Sequence, residues 1–144
     1  MPSIAYRCRL EPDQDGGYVA TFPDLPYGMT DGETVSEVLT EAADLLESIL
    51  ATLVDDGLDI PDPTKVERGE HLVSPSAVTA AQVALYTAMR RENVSAEDLA
   101  KRLAIPVSDI CGLTDLSSYP PLEKIERALA ALGHRLTVAL EAAE

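Results

Sequence analysis

Two short segments of alternating apolar residues, separated by Gly16 and Gly17, constrain the fold of this chain most strongly. Residues 4–10 place apolar side chains at every second position, and residues 18–22 do the same after the glycines. Alternation with a period of two is typical of half-buried strands. Glycine supplies the positive φ angles that tight strand connections need, so the two segments predict a β-hairpin that ends before Pro23.

A third strand and a long helix are predicted next. The strand is weakly indicated over residues 27–30. Thr34-Val-Ser-Glu37 is a capping box, in which the threonine hydroxyl and the glutamate carboxylate each bind a backbone N–H at the start of a helix. Apolar residues from Val35 to Leu53 then recur with a period of 3.6. Three strands followed by one helix predict an α+β fold, with the helix covering one face of a small antiparallel sheet.

Residues 58–75 are predicted to connect two domains. Pro61 and Pro63 and the scarcity of periodic apolar residues argue against a helix in this segment. Residues 71–74 are expected to add an edge strand to the sheet, which Pro75 would end. The sequence therefore predicts a first domain over residues 1–75 and a second over residues 76–144.

Four short helices are predicted for the second domain. They cover residues 77–91, a segment capped by Ser95-Ala-Glu-Asp98, residues 107–113 and residues 122–132. In the last helix the spacing predicts an inward face of Leu122, Ile125, Leu129 and Leu132.

The C-terminal residues 135–140 alternate again and place three apolar side chains on one face. A single strand is not stable without a partner. The segment would either join the first sheet or pair with the same segment of a second subunit. We favour a homodimer or higher oligomer, with Leu136, Val138 and Leu140 as the dimerisation residues.

The middle two helices of the second domain have the pattern of a helix-turn-helix, in which the second helix enters the DNA major groove. The residues that begin this second helix include no Arg, Lys, Gln or Asn, and Asp109 would repel phosphate. Binding per subunit is therefore expected to be weak. A helical packing module without a DNA role is the alternative. The predicted DNA contacts are Ser95, Lys101, Arg102, Val107, Ser108, Asp109, Gly112, Ser117 and Ser118.

The net charge of −14 is concentrated in the first half of the chain. Residues 1–70 hold 4 Lys and Arg against 16 Asp and Glu, a balance of −12, whereas residues 71–144 hold 7 against 9, a balance of −2. The first half should repel nucleic acid and attract a basic partner. Ordinary solubility charge is the alternative explanation.

Cysteine usage and hydropathy predict a soluble cytoplasmic protein. Cys8 falls on a strand face and Cys111 in a helix, which favours buried free thiols and a reducing compartment. No His and Cys spacing resembles a metal site. The chain shows neither a secretory signal pattern nor an apolar run of membrane-spanning length.

Several motifs of the chain resemble the HicB antitoxin family, over nearly its whole length. In the first domain these are E-P-D-Q-D-G-G-Y-V-A-T-F-P-D-L-P from Glu11, T-V-S-E-V-L-T-E-A from Thr34 and D-D-G-L-D-I-P-D-P from Asp55. In the second domain, L-A-K-R-L from Leu99 and L-E-K-I-E-R-A-L-A-A-L-G-H-R-L from Leu122 are similar to the helix-turn-helix version of that family.

The resemblance implies a partial ribonuclease-H-like first domain that binds and blocks a HicA toxin, a small basic mRNA-cleaving protein of double-stranded-RNA-binding fold. It also implies repression of the operon through the second domain. Asp109 and Gly112 stand where related sequences usually carry Arg or Gln, and the Pro120-Pro121 loop is unusual, so toxin neutralisation is the safer expectation. The predicted toxin-binding residues are Asp13, Asp15, Tyr18, Asp24, Leu25, Pro26, Tyr27, Asp31 and Glu33.

Two other classes of function are considered. A metal-dependent nuclease would use Asp13, Asp15, Asp24 and Asp31, but these lie in turns and not on adjacent rigid strands. His71 and His134 have no evident catalytic partner in the sequence. We therefore expect no enzyme, no catalytic residue, no metal and no cofactor. The remaining alternative is a stand-alone helix-turn-helix transcriptional regulator whose first domain senses a ligand or a protein.

Overall fold

The computed structural model describes residues 4–142 of the chain, which divides into two compact units, Met1–Ala80 and Ala81–Glu144. The sequence placed the boundary between residues 75 and 76. The difference has a local cause, because the Glu47 carboxylate accepts hydrogen bonds from the Ser76 N–H and the Thr79 hydroxyl, both at 2.6 Å. These bonds fasten residues 76–79 to the first unit.

The first unit is a four-stranded antiparallel sheet with one long helix, which confirms the predicted α+β class. The sheet has the order β3-β2-β1-β4. Its strands are β1 (Tyr6–Pro12), β2 (Tyr18–Thr21), β3 (Thr30–Gly32) and β4 (His71–Val73), and the helix is α1 (Val35–Asp55). Strand β3 begins three residues later than predicted, because Gly28, with a φ of +76°, turns the chain before it.

The β1–β2 hairpin forms as predicted around the two glycines. Ala20 pairs with Leu10, and Tyr18 pairs with Pro12. In the turn, the Asp13 N–H donates to the Gly17 carbonyl oxygen at 3.0 Å. Gly17 has a φ of +76°, and a Cβ there would collide with the carbonyl oxygen of Gly32. Glycine at position 17 therefore permits both the turn and the close approach of β3.

Helix α1 covers one face of the sheet. Its N-cap is Thr34, whose hydroxyl oxygen accepts from the Glu37 N–H at 3.1 Å, while the Glu37 carboxylate accepts from the Glu33 N–H. Burying one large apolar side chain contributes roughly 1.5–3 kcal/mol, so this interface supplies much of the stability of the unit. The buried residues of the helix are Val38, Ala42, Leu46, Ile49, Leu50 and Leu53, and those of the facing sheet and turns include Tyr6, Cys8, Ala20 and Phe22.

The second unit is helical. Its helices are α2 (Ala77–Glu92), which begins in the first unit, α3 (Ala96–Leu103), α4 (Val107–Thr114) and α5 (Leu122–Ala131). Helix α3 carries the predicted capping box of Ser95 and Asp98. It ends at Ala104, which adopts the left-handed conformation, and two further residues lead into α4.

Two predicted core positions of the second unit are wrong. Cys111 is exposed, because the buried stripe of α4 is formed by Ile110 and Leu113, and successive helical residues point about 100° apart. Leu122 is 36% exposed, because it stands at the first position of α5, where the stripe of Ile125 and Leu129 has not yet begun.

Within residues 4–142, the predicted C-terminal strand does not form and pairs with no other strand. Residues 134–142, as described, belong to no helix or strand. Val138 and Leu140 are 85% and 101% exposed, and Leu136 is half-buried. Pairing with a second subunit stays a prediction. No helix in the described part of the chain has the length and apolarity needed to cross a membrane.

Candidate functional site

Four acidic residues of the first unit meet at one end of the sheet. Because β2 pairs with β3, with Tyr18 opposite Gly32, the hairpin turn lies beside the end of β3. The two segments enclose a concavity of about 380 Å³, which we call the acidic hollow. It is lined by Asp13, Asp15, Gly16, Gly17, Asp31, Gly32 and Glu33.

The acidic hollow carries four carboxylates and no basic side chain. The lining glycines add no side chain that could screen these charges. Like charges in one concavity produce a negative potential that attracts cations and repels phosphate. The structure thus brings together Asp13, Asp15, Asp31 and Glu33 from the predicted toxin-binding set.

Asp24, another member of that set, is bound inside the chain. Its carboxylate accepts from the Thr64 N–H at 2.8 Å and from the Thr64 hydroxyl at 2.7 Å, and the Arg7 Nε–H donates to it at 3.4 Å. Its side chain is only 7% exposed. Burial alone would raise the pKa of Asp24, but the bonds from Thr64 and the charge of Arg7 hold that pKa below its usual value. Asp24 therefore fastens the connecting segment and lies apart from the acidic hollow.

Arg7 joins this carboxylate to a second one. Its Nη1 lies 3.3 Å from Glu70, whose side chain is 5% exposed, and 3.5 Å from Glu67. The Glu67 N–H donates to Glu70, and this bond, helped by Arg7, lowers the pKa of Glu70. The Tyr6 hydroxyl donates to the Pro61 carbonyl oxygen at 2.6 Å, and burial raises its pKa to about 12. We call Arg7, Asp24, Thr64, Glu67 and Glu70 the Arg7 cluster.

The predicted apolar anchors divide into buried and exposed side chains. Leu25 is 8% exposed and belongs to the core, and Tyr18 is half-buried. Pro26 is exposed, Tyr27 is 41% exposed, and Met29, which sequence reasoning missed, is 68% exposed. Residues 26–29 thus present apolar surface on the segment that leads into β3.

The second unit has a groove of about 420 Å³ between α4, the following loop and α5, which we call the α4–α5 groove. It contains four of the nine predicted DNA contacts, namely Ser108, Asp109, Gly112 and Ser118. Its full lining is Leu103, Ile105, Ser108, Asp109, Gly112, Leu113, Ser118, Tyr119, Pro120, Pro121, Lys124 and Arg127.

Three of the predicted DNA contacts have hydroxyls that already bind within the chain. Ser95 caps α3 by accepting from the Asp98 N–H at 3.0 Å. Ser117 donates to the Asp115 carboxylate at 2.6 Å, and Ser118 donates to the Gly112 carbonyl oxygen at 2.7 Å. The other predicted contacts outside the groove, Lys101, Arg102 and Val107, are exposed.

Gln82 supports the end of α4 and was not found from the sequence. Its side chain is fully buried, and its Nε2 donates to the carbonyl oxygens of Leu113 at 3.2 Å and Asp115 at 2.8 Å. The last carbonyls of a helix have no partner within the helix, so this amide satisfies two acceptors at the end of α4. In the segment that follows α5, His134 Nε2 lies 2.7 Å from Glu92 Oε2.

Within residues 4–142, no group of three His, Cys, Asp or Glu side chains is arranged to hold a metal ion. Among the described residues, the fold forms a carboxylate-lined hollow in the first unit and a groove lined by Lys124 and Arg127 in the second. Charged concavities of this kind are suited to partners of opposite charge.

Comparison with known proteins identifies the family. A family model described as HicB_like antitoxin of bacterial toxin-antitoxin system matches residues 5–84. Antitoxin HicB of Pseudomonas fluorescens (strain Pf0-1) is 32% identical over 143 residues, which cover 98% of each chain. Antitoxin HicB of Escherichia coli (strain K12) is 29% identical over 137 residues, covering 95% of this chain and 99% of the relative. Antitoxin HicB 1 of Photorhabdus laumondii subsp. laumondii is 29% identical over 141 residues, covering 98% and 90%.

The chain therefore belongs to the HicB-like antitoxin family, which confirms the resemblance to that family. The resemblance of the second domain to the helix-turn-helix version stays a prediction. The family supports an antitoxin role and implies a toxin as the partner.

Proposed function

We propose that this protein neutralises a HicA-type mRNA-cleaving toxin by binding it through the acidic hollow and the exposed apolar residues 26–29. The observation that carries the proposal is the grouping of Asp13, Asp15, Asp31 and Glu33 without a basic residue among them. Family membership supplies the kind of partner.

Charge explains how such a surface would block an RNA-cleaving protein. An enzyme that binds RNA needs cations for the phosphates, and carboxylates placed against those cations would occupy the same positions. Aromatic and apolar anchors usually contribute more binding free energy than charges at the rim. Tyr27 and Met29 are therefore proposed as anchors, and the acidic hollow as the source of specificity and rapid association.

For the second unit we propose a helix-turn-helix made of α3 and α4 that binds operator DNA and represses the operon. The three-residue connection between the two helices supports this proposal. The protein would act as a homodimer or higher oligomer joined through residues 135–140. For the first unit, a small antiparallel sheet with one covering helix is compatible with a partial ribonuclease-H-like arrangement. We propose no catalytic role for either unit.

The central experiment mixes the purified protein with the small basic protein encoded next to it. We expect a stable complex in size-exclusion chromatography and loss of the partner's RNA cleavage on titration. Absence of a complex at micromolar concentration would contradict the proposed toxin neutralisation. A gel shift with the protein's own promoter, with and without the neighbour, separates an antitoxin from a stand-alone regulator, for which the neighbour would have no effect.

A further inference from the structure

We propose that Lys124 and Arg127 of α5 bind phosphates of the DNA backbone from one wall of the α4–α5 groove. The inference rests on the proposed operator binding and names residues for it that sequence reasoning did not select. It addresses the shortage of cations in α4, whose only charged side chain is Asp109.

The geometry of the groove places opposite charges on different helices. Ser108, Asp109 and Gly112 line the groove from α4, and Lys124 and Arg127 line it from α5. Residues three apart on a helix share a face, so the two cations project from the same side of α5. Leu103 and Leu113 add apolar surface to the lining.

Both cations are available to an external anion. Lys124 is exposed and forms no ion pair within the described residues. Arg127 Nη2 lies 3.2 Å from Glu123 Oε1, and these side chains are 70% and 76% exposed. An exposed pair of this kind is weak and exchanges readily for a stronger partner.

Charge complementarity favours duplex DNA as the occupant. A phosphate strand can lie against Lys124 and Arg127 but is repelled by Asp109, so the backbone would follow the α5 wall while the base edges face the start of α4. If Asp109 faces the base edges, its carboxylate can accept a hydrogen bond from a cytosine amino group. If it faced the phosphates, the two negative charges would repel each other. Apolar occupants would leave the two cations unused.

The salt dependence of binding provides the test. Each phosphate neutralised by a cation contributes about 0.9 to the slope of log affinity against log salt concentration. The double variant Lys124→Gln/Arg127→Gln is therefore expected to lower this slope by about 1.8 for each bound subunit, with a loss of about 60-fold in affinity per subunit at 0.1 M salt. Fluorescence anisotropy with the protein's own promoter fragment, measured at several salt concentrations, gives both quantities.

The control is the double variant Lys65→Gln/Arg68→Gln. It removes the same two charges at the same spacing, from exposed positions in the first unit, and should leave the slope unchanged. Glu123→Gln should act in the opposite direction and tighten binding, because it releases Arg127 from its pair. A role of α5 in folding alone would not produce this opposite sign.

Each outcome decides between the two proposals. If the wild type does not bind its promoter fragment, both the operator binding and this inference are wrong. If it binds and Lys124→Gln/Arg127→Gln keeps the wild-type slope, only the inference is wrong. A change in sedimentation behaviour without a change in slope would assign the groove to a second copy of the chain and would also overturn the inference.

Discussion

The carboxylates of the first unit differ in what they bind inside the chain. Asp24 is held by Thr64 and Arg7 and is almost completely covered. Asp13 and Asp31 line a hollow that contains no basic side chain. The carboxylate of Asp24, which is hydrogen-bonded and paired with Arg7, stabilises the folded state. The carboxylates of the acidic hollow have no cation beside them there and can bind one on a partner protein. Substitution of Asp24 should therefore change the stability of the fold, whereas substitution in the acidic hollow should change partner binding.

Charge reversal in the acidic hollow should weaken toxin binding. The double variant Asp13→Lys/Asp31→Lys places two cations against the proposed basic partner, and like charges across an interface cost enough to lower affinity by at least about tenfold. Isothermal titration calorimetry against the neighbouring basic protein would measure the change. The loss should shrink at 0.5 M salt because of screening.

The matched control for this prediction is Glu41→Lys/Asp44→Lys on the exposed face of α1, which changes the charge by the same amount. Equal losses of affinity for the two double variants would mean that toxin binding depends on the net charge of the protein and not on the acidic hollow. A loss confined to the control would place the toxin on α1 and contradict the role of the acidic hollow.

The Arg7 cluster predicts a specific dependence of stability on pH. The folded-state pKa of Asp24 lies below its ordinary value of 3.8, so the folded state favours the ionised carboxylate. The resulting stabilisation is fully present above the unfolded pKa and is lost as the pH falls through the folded pKa. Asp24→Asn should therefore lower the free energy of unfolding most at pH 7 and progressively less below pH 4.

Urea denaturation across this pH range would measure the effect. Asp55→Asn, at the exposed last residue of α1, makes the same chemical change outside the Arg7 cluster and serves as the control. A destabilisation by Asp24→Asn that stays constant from pH 7 to pH 3 would show that the ionised form has no special role.

At the level of single elements, α3 offers a test that separates capping from DNA contact. The Ser95 hydroxyl accepts from the Asp98 N–H, and the Asp98 carboxylate accepts from the Ser95 N–H. Ser95→Ala should cost about 1 kcal/mol of stability, while Ser95→Asp should keep it, because aspartate is an equally good N-cap. Thermal unfolding followed by circular dichroism would report both changes.

The same variants answer whether Ser95 contacts DNA. A hydroxyl used only for capping predicts that Ser95→Ala retains operator affinity once the protein is folded. A phosphate contact predicts instead that Ser95→Asp abolishes binding by repulsion while leaving stability intact.

Elements whose signals are local could be predicted from the sequence. The capping residues at Thr34 and Ser95 mark helix starts that the structure retains, and the glycine pair marks the hairpin. Strand β3 was misplaced because three residues at the edge of a sheet contain too little alternation to fix a register. Leu122 was misjudged because a helical stripe was extended into the first position of α5, where fewer neighbours cover a side chain.

The candidate sites were less predictable because they depend on residues distant in sequence. Acidic residues around the hairpin were recognised as a group, but their sequence does not separate Asp24 from Asp31. Thr64 and Glu70 bind Asp24 and Arg7 across 40 and 63 positions of the chain. The buried amide of Gln82 likewise donates hydrogen bonds to carbonyl oxygens more than 30 residues away, so no local sequence pattern predicts its role.

For the whole molecule, the division of charge follows the proposed division of function. Residues 1–70 carry a balance of −12, which would attract a basic protein partner and repel nucleic acid. Residues 71–144 carry a balance of −2 and would repel DNA much less. With so few cations, one copy of the second unit should bind DNA weakly. Affinity would then depend on how many copies bind together.

The C-terminal residues 135–140 should therefore control both assembly and DNA affinity. Val138 and Leu140 are almost fully exposed in the described part of the chain. In a paired strand, the alternation of side chains would place Leu136 on the same face. Val138→Asp/Leu140→Asp would put two charges into the proposed strand pairing and should produce a monomer in sedimentation velocity. Because paired subunits bind two half-sites, operator affinity should fall with dissociation.

Thr137→Asp/Ala139→Asp introduces the same charge on the alternate face, and a dimer that survives only in this control would locate the interface on the apolar face. Dissociation by both variants would show that repulsion between tails, and not packing of this face, governs assembly.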